Sequence, residues 1–198
     1  MTNKSGVQFG KHQSPINIQN PIKSDLPDLR FNYKETKCKP HNNGYSIQAF
    51  YGEGSLLNVG KHEFKLVEFH FHTPAEHSFD GKTHPMINHI VHQGRNFLAV
   101  VAVTIDEGEY NPDLQKLIDG MDKEINFNVS SLLPQSTSSY FYYHGSRTTP
   151  PHSENIHWII LKDKIKASKD QIASFKNETG CNARELQESY GRIVKYRD

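Results

Sequence analysis

Three histidines in this chain have the residue type and the spacing of a metal site. His70 and His72 are separated by a single residue, so on a β-strand their side chains point to the same face. A third histidine, His89, lies far enough along the chain to approach that face from a neighbouring strand. Three imidazole ligands leave one tetrahedral position open for water, which is typical of a catalytic zinc ion rather than a structural one.

The residues around the first two histidines predict the strand that positions them. Lys65–His72 alternates between apolar and polar side chains, which is typical of a half-buried strand. Val67, Phe69 and Phe71 are expected on one face of this strand. Glu68 is expected on the opposite face, together with the two histidines.

Other short patterns predict the surrounding elements. Thr73-Pro74 ends the first strand, because proline cannot continue a ladder of backbone hydrogen bonds. The apolar run Met86–His92 predicts a second strand that carries the third histidine. Asn111-Pro112 predicts the start of one helix, and the capping box from Ser168 to Gln171 predicts another. Predicted strands greatly outnumber helices, which indicates a mainly β domain.

Length and charge restrict the class of protein. The 198 residues predict a single domain over residues 1–198, with room for a substantial core. The 23 Lys and Arg residues nearly balance the 22 Asp and Glu residues, so we expect no nucleic-acid partner. No apolar run is long enough to span a membrane, so we expect no membrane partner either. We expect a monomer or a homodimer.

The two cysteines bear on the cellular compartment. Cys38 and Cys181 lack metal-site spacing, and they predict either one disulfide in an oxidising compartment or two free thiols. We expect a periplasmic or secreted protein, with the cytoplasm as the alternative because no signal peptide opens the sequence.

Several segments of the chain together resemble the α-class carbonic anhydrases. They are specific and stand in the family's order, from its N-terminal signature through its zinc region and Thr-Thr-Pro-Pro loop to its C-terminal segment. The segments are Gln13–Ile18 (QSPINI), Glu68–His77 (EFHFHTPAEH), His89–His92 (HIVH), Gly145–Pro151 (GSRTTPP), Trp158 and Asn182–Arg184. The resemblance implies the family's fold, which is a large twisted, mostly antiparallel central sheet with a few short peripheral helices.

The same resemblance implies a zinc enzyme that reversibly hydrates carbon dioxide to bicarbonate and a proton. His70, His72 and His89 would hold Zn2+. Thr148 would accept a hydrogen bond from zinc-bound hydroxide and donate its own proton to Glu76, which orients the hydroxide toward the substrate. Zinc bound by three neutral imidazoles lowers the pKa of its water to about 7, so hydroxide is available at neutral pH.

Further residues take supporting roles by this resemblance. Those expected around the metal ligands are His77, His92, Tyr143 and Asn182. Those expected to line the substrate pocket are Gln48, Val91, Val100, Arg147, Thr149 and Trp158. Among them, Val91, Val100 and Trp158 would form the apolar wall where carbon dioxide rests.

Two positions beside the ligands depart from the family's pattern. The family has a glutamate two residues before the third ligand, where this chain has Ile87, which cannot accept a hydrogen bond from the ring of His89. Losing such a partner typically costs about 10–100-fold in metal affinity or activity. Glu68 stands where the family has glutamine, on the same strand face as His70. It is either a carboxylate that supports His70 in place of the missing partner or a solvated residue of the strand.

Two more departures lie at the mouth of the pocket. Asn42–Tyr45 (NNGY) resembles the family's Asn-Asn-Gly-His, whose histidine shuttles the product proton. A tyrosine ordinarily titrates near 10, so we expect a turnover that is limited by proton transfer and rescued by imidazole-type buffers. Arg147 replaces an apolar residue at the rim, where it narrows the entrance, attracts bicarbonate or points to solvent.

Three alternatives stay open. A cupin-type enzyme would use Glu76 as a ligand beside the strand histidines and would hold iron or manganese. No Pro-x-Gly turn precedes a suitably placed downstream histidine, which disfavours this alternative. A non-catalytic binding module related to carbonic anhydrases would commonly have lost a zinc histidine, whereas all three remain here. Hydrolysis of activated esters would be a side activity of the same zinc site.

Overall fold

β-Strands dominate the fold, which is known from a computed structural model that describes residues 10–198. Within this range the chain forms seventeen strands and two α-helices. The strands are β1 (Asn17–Ile18), β2 (Ile22–Lys23), β3 (Leu29–Asn32), β4 (Thr36–Cys38), β5 (His41–Asn42), β6 (Ile47–Phe50), β7 (Leu56–Val59), β8 (His62–His72), β9 (Ser78–Phe79), β10 (Lys82–Thr83), β11 (Met86–Gln93), β12 (Leu98–Glu107), β13 (Ile125–Phe127), β14 (Tyr140–Ser146), β15 (Glu154–Leu161), β16 (Ile165–Ala167) and β17 (Lys195–Arg197). The helices are α1 (Pro112–Asp119) and α2 (Lys169–Thr179), and a short 3₁₀ helix spans Val129–Leu132.

Twelve of these strands form one large sheet. Its main path runs in the order β2-β17-β14-β15-β12-β11-β8-β6-β5. The strands β6, β8, β11 and β12 pair antiparallel in succession, whereas β12 and β15 pair in parallel. The sheet is therefore mixed but mostly antiparallel, and the prediction of a mainly β fold with few helices is confirmed.

Each face of the sheet carries its own apolar core. The larger core includes Leu117 of α1 and packs Phe71 of β8 against Phe175 of α2. The smaller core lies on the opposite face and includes Ile87 of β11 and Trp158 of β15. Burial of each large apolar side chain contributes about 1.5–3 kcal/mol, so packing on both faces holds β8 and β11 rigidly in the middle of the sheet.

Both predicted helix starts are confirmed. The Asn111 side-chain oxygen accepts hydrogen bonds from the backbone N–H groups of Asp113 (3.0 Å) and Leu114 (3.1 Å), with a proline in the first turn of α1. Ser168 and Gln171 form the reciprocal capping box at the start of α2. Neither these helices nor any other helix within residues 10–198 is long and apolar enough to cross a membrane.

One side chain of β8 does not lie where the alternating pattern predicts. The register between β8 and β11 shifts between Glu68 and Leu66, which leaves Val67 without a partner across the ladder. Such a β-bulge inserts one extra residue and turns its side chain to the other face. The assignment of Val67 to the face of Phe69 and Phe71 is therefore wrong. Leu66 packs with the two phenylalanines, and Val67 lines a cavity on the histidine face.

The two cysteines are free thiols, which is one of the two alternatives that the sequence left open. Cys38 is buried in the larger core, and burial raises the pKa of its thiol to about 11. Cys181 is exposed.

Candidate active site

The three histidines predicted as metal ligands converge at one point of the sheet. His70 and His72 project from the same face of β8, and His89 of β11 pairs directly with His70 in the register of the two strands. One ring nitrogen from each histidine lies within 4.8 Å of the other two. Antiparallel pairing therefore brings together residues that are separated in sequence.

The nitrogens that face one another identify the donor atoms. Nδ1 of His89 lies 3.3 Å from Nε2 of His70. Nε2 of His72 is buried and has no hydrogen-bond partner among the described residues. A buried, unpaired ring nitrogen inside such a cluster fits a metal ligand, and three imidazoles are a donor set found in catalytic zinc sites. The residues present therefore fit a zinc ion held through Nε2 of His70, Nε2 of His72 and Nδ1 of His89.

Two of the rings are oriented by hydrogen bonds from their outward nitrogens. Nδ1 of His70 donates to the carboxylate of Glu68, whose oxygens lie 3.1 and 3.0 Å away. Nδ1 of His72 donates to the backbone carbonyl of Asn182 at 3.2 Å. These bonds place the ring proton on Nδ1, so that Nε2 of each ring is free to bind a metal. Glu68 and Asn182 thus lie against the ligands, where the sequence analysis expected them.

The Glu76 carboxylate lies directly beneath the histidine cluster. It is buried, and its Oε1 accepts a hydrogen bond from the backbone N–H of Arg184 at 3.0 Å. Its Oε2 lies 3.5 Å from Nε2 of His72 and 3.8 Å from Nδ1 of His89, without a hydrogen-bond partner in the described part of the chain. No sequence pattern predicts the Arg184 contact, because a backbone N–H has no signature in the sequence.

Burial and neighbouring charges set the protonation of the three rings. Burial lowers the pKa of His72, although the Glu76 carboxylate opposes this effect. Burial, followed by the nearby rings of His72 and His70, holds the pKa of His89 well below its usual range. Burial also lowers the pKa of His70, but the carboxylates of Glu68 and, more weakly, Glu76 together outweigh it, so that the pKa is raised. His72 and His89 are therefore neutral imidazoles at neutral pH, which is the form that binds a metal.

The histidine cluster opens into a cavity of about 290 Å³. The predicted pocket residues that line it are Gln48, Val91, Val100, Arg147, Thr148, Thr149 and Trp158. Leu98 and Ile156 also line it, although the sequence analysis did not select them. They lie two positions before Val100 and Trp158 on β12 and β15, so the two-residue period of a strand was the signal that could have found them.

Tyr45 lies outside this cavity. Tyr45 is 60 % exposed, whereas Asn43 and Ser46 of the same loop line the cavity. The backbone carbonyl of Tyr45 accepts a hydrogen bond from Nδ2 of Asn182 at 2.8 Å. This hydrogen bond therefore fixes the loop at the mouth of the pocket, while the phenol of Tyr45 is exposed to solvent.

A buried polar chain lies behind the cluster. Nε2 of His77 lies 2.7 Å from the hydroxyl of Tyr143, which in turn lies 2.8 Å from the hydroxyl of Ser14. Burial lowers the pKa of His77 to about 3 and raises that of Tyr143. The ring of His77 contacts those of His89 and Trp158, so this chain supports the back of the cluster with a neutral imidazole.

The other histidine expected near the site, His92, faces away from it. Its Nε2 lies 2.7 Å from the hydroxyl of Tyr33, a residue of the larger core. Its Nδ1 lies 3.3 Å from the backbone carbonyl of Ala99 on β12. Burial lowers its pKa to about 3. The contacts of His92 thus stabilise the pairing of β11 and its surroundings rather than the cavity.

Comparisons with known proteins agree with this geometry. The family model described as eukaryotic-type carbonic anhydrase matches residues 3–197. A carbonic anhydrase from Nostoc sp. is 38% identical over 202 residues, which cover 94% of this chain and 76% of that protein. A carbonic anhydrase from Pectobacterium carotovorum is 34% identical over 197 residues, which cover 94% of this chain and 80% of that protein.

A solved structure has the same fold. A hyperthermostable carbonic anhydrase identified from an active hydrothermal vent chimney superposes with a TM-score of 0.88 at 34% identity, covering 96% of this chain and 89% of that one. The sequence match covers nearly the whole chain, and the solved structure shares its fold. Both findings agree with the three histidines that converge on one face of the sheet. The chain therefore belongs to the eukaryotic-type, or α-class, family of carbonic anhydrase enzymes.

Proposed function

We propose that this protein catalyses the reversible hydration of carbon dioxide to bicarbonate and a proton, with zinc as its metal. The observation that carries the proposal is the cluster of three ring nitrogens within 4.8 Å of one another, at the base of a cavity with an apolar wall. When bound by three neutral imidazoles, zinc lowers the pKa of a coordinated water to about 7 and so supplies a nucleophile at neutral pH.

Glu76 and Thr148 orient that nucleophile in this proposal. Glu76 already accepts the Arg184 N–H through Oε1, and its Oε2 remains as an acceptor beside the cluster. Thr148 is buried and lines the cavity together with His70 and His89. In this proposal the Thr148 hydroxyl would donate to Oε2 of Glu76, and the Thr148 oxygen would then be the acceptor that aims the attacking oxygen at the substrate.

The apolar side of the cavity holds carbon dioxide. Val91 and Val100 face each other across β11 and β12, and Trp158 pairs with Val100 from β15. Carbon dioxide carries no charge, so an apolar surface beside the metal suits it better than a charged clamp. Gln48 and Thr149 also line the cavity and provide polar groups there. Arg147 provides a positive charge that attracts the bicarbonate anion.

Release of the product proton limits turnover in this proposal. The titratable side chains that line the cavity, apart from the histidine cluster, are Glu68 and Arg147. Glu68 is hydrogen-bonded to His70, and an arginine does not give up its proton near neutral pH. The exposed Tyr45 at the mouth is a phenol, so the proton passes mainly to water and to buffer.

The proposal is tested by measuring zinc content and carbon dioxide hydration on the same purified sample in a stopped-flow instrument. We expect one zinc per chain and hydration well above that of a zinc-matched solution. His72→Ala is expected to lose both, whereas His62→Ala, at an exposed position near the start of β8, is expected to keep both.

Two other results would count against the proposal. Iron or manganese in place of zinc would favour the cupin-type alternative. A full zinc complement without hydration activity would favour a non-catalytic binding module with the family's fold. Thr148→Val is the further check, because it keeps the shape of the side chain and removes the hydroxyl; retention of full activity would remove Thr148 from the mechanism.

A further inference from the structure

The three ligand histidines differ in what their outward nitrogens contact. His70 donates from Nδ1 to both oxygens of Glu68, and His72 donates from Nδ1 to the carbonyl of Asn182. His89 faces the cluster through Nδ1, so its outward atom is Nε2. That atom is buried and has no hydrogen-bond partner in the part of the chain that the structure describes.

Three of the residues packed around His89 offer no acceptor to its outward nitrogen. Ile87 lies two positions earlier on the same face of β11 and is fully buried. Directly opposite His89 on β12 lies Ala102, and the ring of Trp158 packs 4.9 Å away, centroid to centroid. Neither alkyl side chain can accept a hydrogen bond, and the indole N–H of Trp158 donates to the backbone carbonyl of Ser146.

The missing acceptor matters when His89 binds a metal. An imidazole that binds through Nδ1 must carry its proton on Nε2. Here that N–H would be buried without a partner, which is the costly arrangement for a polar group. His70 has the opposite situation, because its outward N–H donates to a carboxylate, and such a bond both fixes the ring and makes the ligand a stronger donor.

We infer, on the basis of the zinc site proposed above, that the three ligands are held unequally. Glu68 is a positioning residue for His70. His89 is the weakly supported ligand, and it detaches first when the metal leaves. Glu68 suits this role because its side chain is only 10 % exposed and forms its one ion pair among the described residues with His70. It is therefore not a solvated residue of the strand. The unsupported His89 controls how fast the metal is released.

The inference is tested by the rate of zinc release from the loaded protein into an excess of a chromophoric chelator, with zinc affinity measured by competition. Ile87→Gln and Ile87→Glu each supply an acceptor two positions from His89, and we expect them to slow release about 10-fold or more. Ile87→Leu supplies none and is the matched control, expected within about two-fold of the parent protein. Glu68→Leu removes the acceptor of His70 and is expected to speed release by about 10–100-fold, whereas Glu68→Gln keeps a neutral acceptor and should have a smaller effect.

A spectroscopic signature separates support of the ring from a general change in packing. In long-range ¹H–¹⁵N spectra of the zinc-loaded protein, His89 should carry its proton on Nε2, and His70 and His72 should carry theirs on Nδ1. The His89 N–H resonance should move downfield in Ile87→Gln and Ile87→Glu but not in Ile87→Leu. Thermal unfolding of each variant identifies those that have failed to fold. If the buried carboxylate of Ile87→Glu prevents folding, Ile87→Gln still supplies an uncharged acceptor and keeps the test possible.

The outcomes distinguish this inference from the function on which it rests. If both acceptor variants fold and release zinc at the parent rate, His89 is not the weak ligand. If Glu68→Leu folds and leaves the release rate and the His70 resonance unchanged, Glu68 is not a positioning residue. A protein that loads zinc and shows the expected order of release, yet does not hydrate carbon dioxide, supports the inference and contradicts the proposed function. A protein that loads no zinc contradicts both.

Discussion

The backbone carbonyl of Asn182 lies 3.2 Å from Nδ1 of His72, so a residue 110 positions further along the chain orients a ligand of the cluster. The Asn182 side chain reinforces this contact. Its Oδ1 accepts from the backbone N–H of Thr73 at 2.8 Å, and its Nδ2 donates to the carbonyls of Tyr45 (2.8 Å) and Phe71 (3.1 Å). One amide thus joins the end of β8, the mouth of the pocket and the C-terminal segment.

We expect Asn182→Ala to destabilise the fold by about 1–3 kcal/mol, because it leaves the buried N–H of Thr73 without its acceptor. Zinc affinity should fall as well, since the carbonyl that orients His72 is no longer fixed. Denaturant unfolding and chelator competition measure the two effects. Asn182→Asp keeps an acceptor for Thr73 but places its second oxygen against the carbonyls of Tyr45 and Phe71, which repel it, so this variant should lose stability as well. Parent-like stability of Asn182→Ala would contradict the role given to the Asn182 side chain.

We expect the turnover number near pH 7 to rise with the concentration of an imidazole-type buffer, because the described residues that line the cavity include no imidazole outside the three-histidine cluster. Tyr45→His places a group that titrates near 6.5 at this exposed position. It should raise turnover at low buffer concentration by about ten-fold and leave kcat/KM for carbon dioxide unchanged. Stopped-flow assays over a buffer series provide the measurement. A parent enzyme that is insensitive to buffer would show that another route carries the proton.

We expect His92 to make the protein less stable as the pH falls below about 6.5. Burial lowers the pKa of His92 to about 3, so between these values the unfolded chain takes up a proton that the folded protein does not. Each pH unit in this range therefore costs about 1.4 kcal/mol of unfolding free energy. His92→Gln abolishes this proton uptake on unfolding. The free energy of unfolding of the parent should therefore fall relative to that of the variant by about 1.4 kcal/mol for each unit by which the pH is lowered.

The control for this experiment is Tyr33→Phe, which removes the hydroxyl beside Nε2 of His92 and keeps the ring. It should lower stability at every pH without removing the His92 slope. Denaturant unfolding of all three proteins at several pH values between 5 and 7 gives the comparison. A constant difference between parent and His92→Gln over this range would mean that the buried ring does not stay neutral.

We expect Arg147→Leu to weaken inhibition by small anions such as thiocyanate. Arg147 lines the cavity, and its charge acts on His70. Because the residue is exposed, the effect should be no more than about five-fold in the inhibition constant and should decrease at high ionic strength. Arg147→Lys keeps the charge and should resemble the parent protein. An unchanged inhibition constant in Arg147→Leu would mean that the guanidinium points to solvent and does not attract anions into the pocket.

Local patterns in the sequence predicted the parts of this protein that local interactions determine. The strand that carries His70 and His72, the start of α1 at Asn111 and the capping box at Ser168 depend on neighbours within a few residues, and all are confirmed. The bulge at Val67 was missed because the alternation of apolar residues assumes an unbroken register, whereas the register depends on the pairing with β11.

Contacts between distant segments were less accessible. The bond from Arg184 to Glu76 uses a backbone N–H, which every residue except proline carries and which therefore leaves no mark in the sequence. The parallel pairing of β12 with β15 depends on how the chain crosses over between them. That Tyr45 lies outside the cavity follows from the path of its loop, and no local pattern predicts such a path.

The order of the site's parts along the chain has a consequence for synthesis. All three imidazoles leave the ribosome before the segment that contains Asn182 and Arg184 has been translated, since domains are made from the N-terminus at about 5–20 residues per second. A nascent polypeptide that ends before residue 180 therefore lacks the segment that contacts His72 and Glu76. The contacts that Asn182 and Arg184 make with His72 and Glu76 therefore form only late in the biogenesis of the protein.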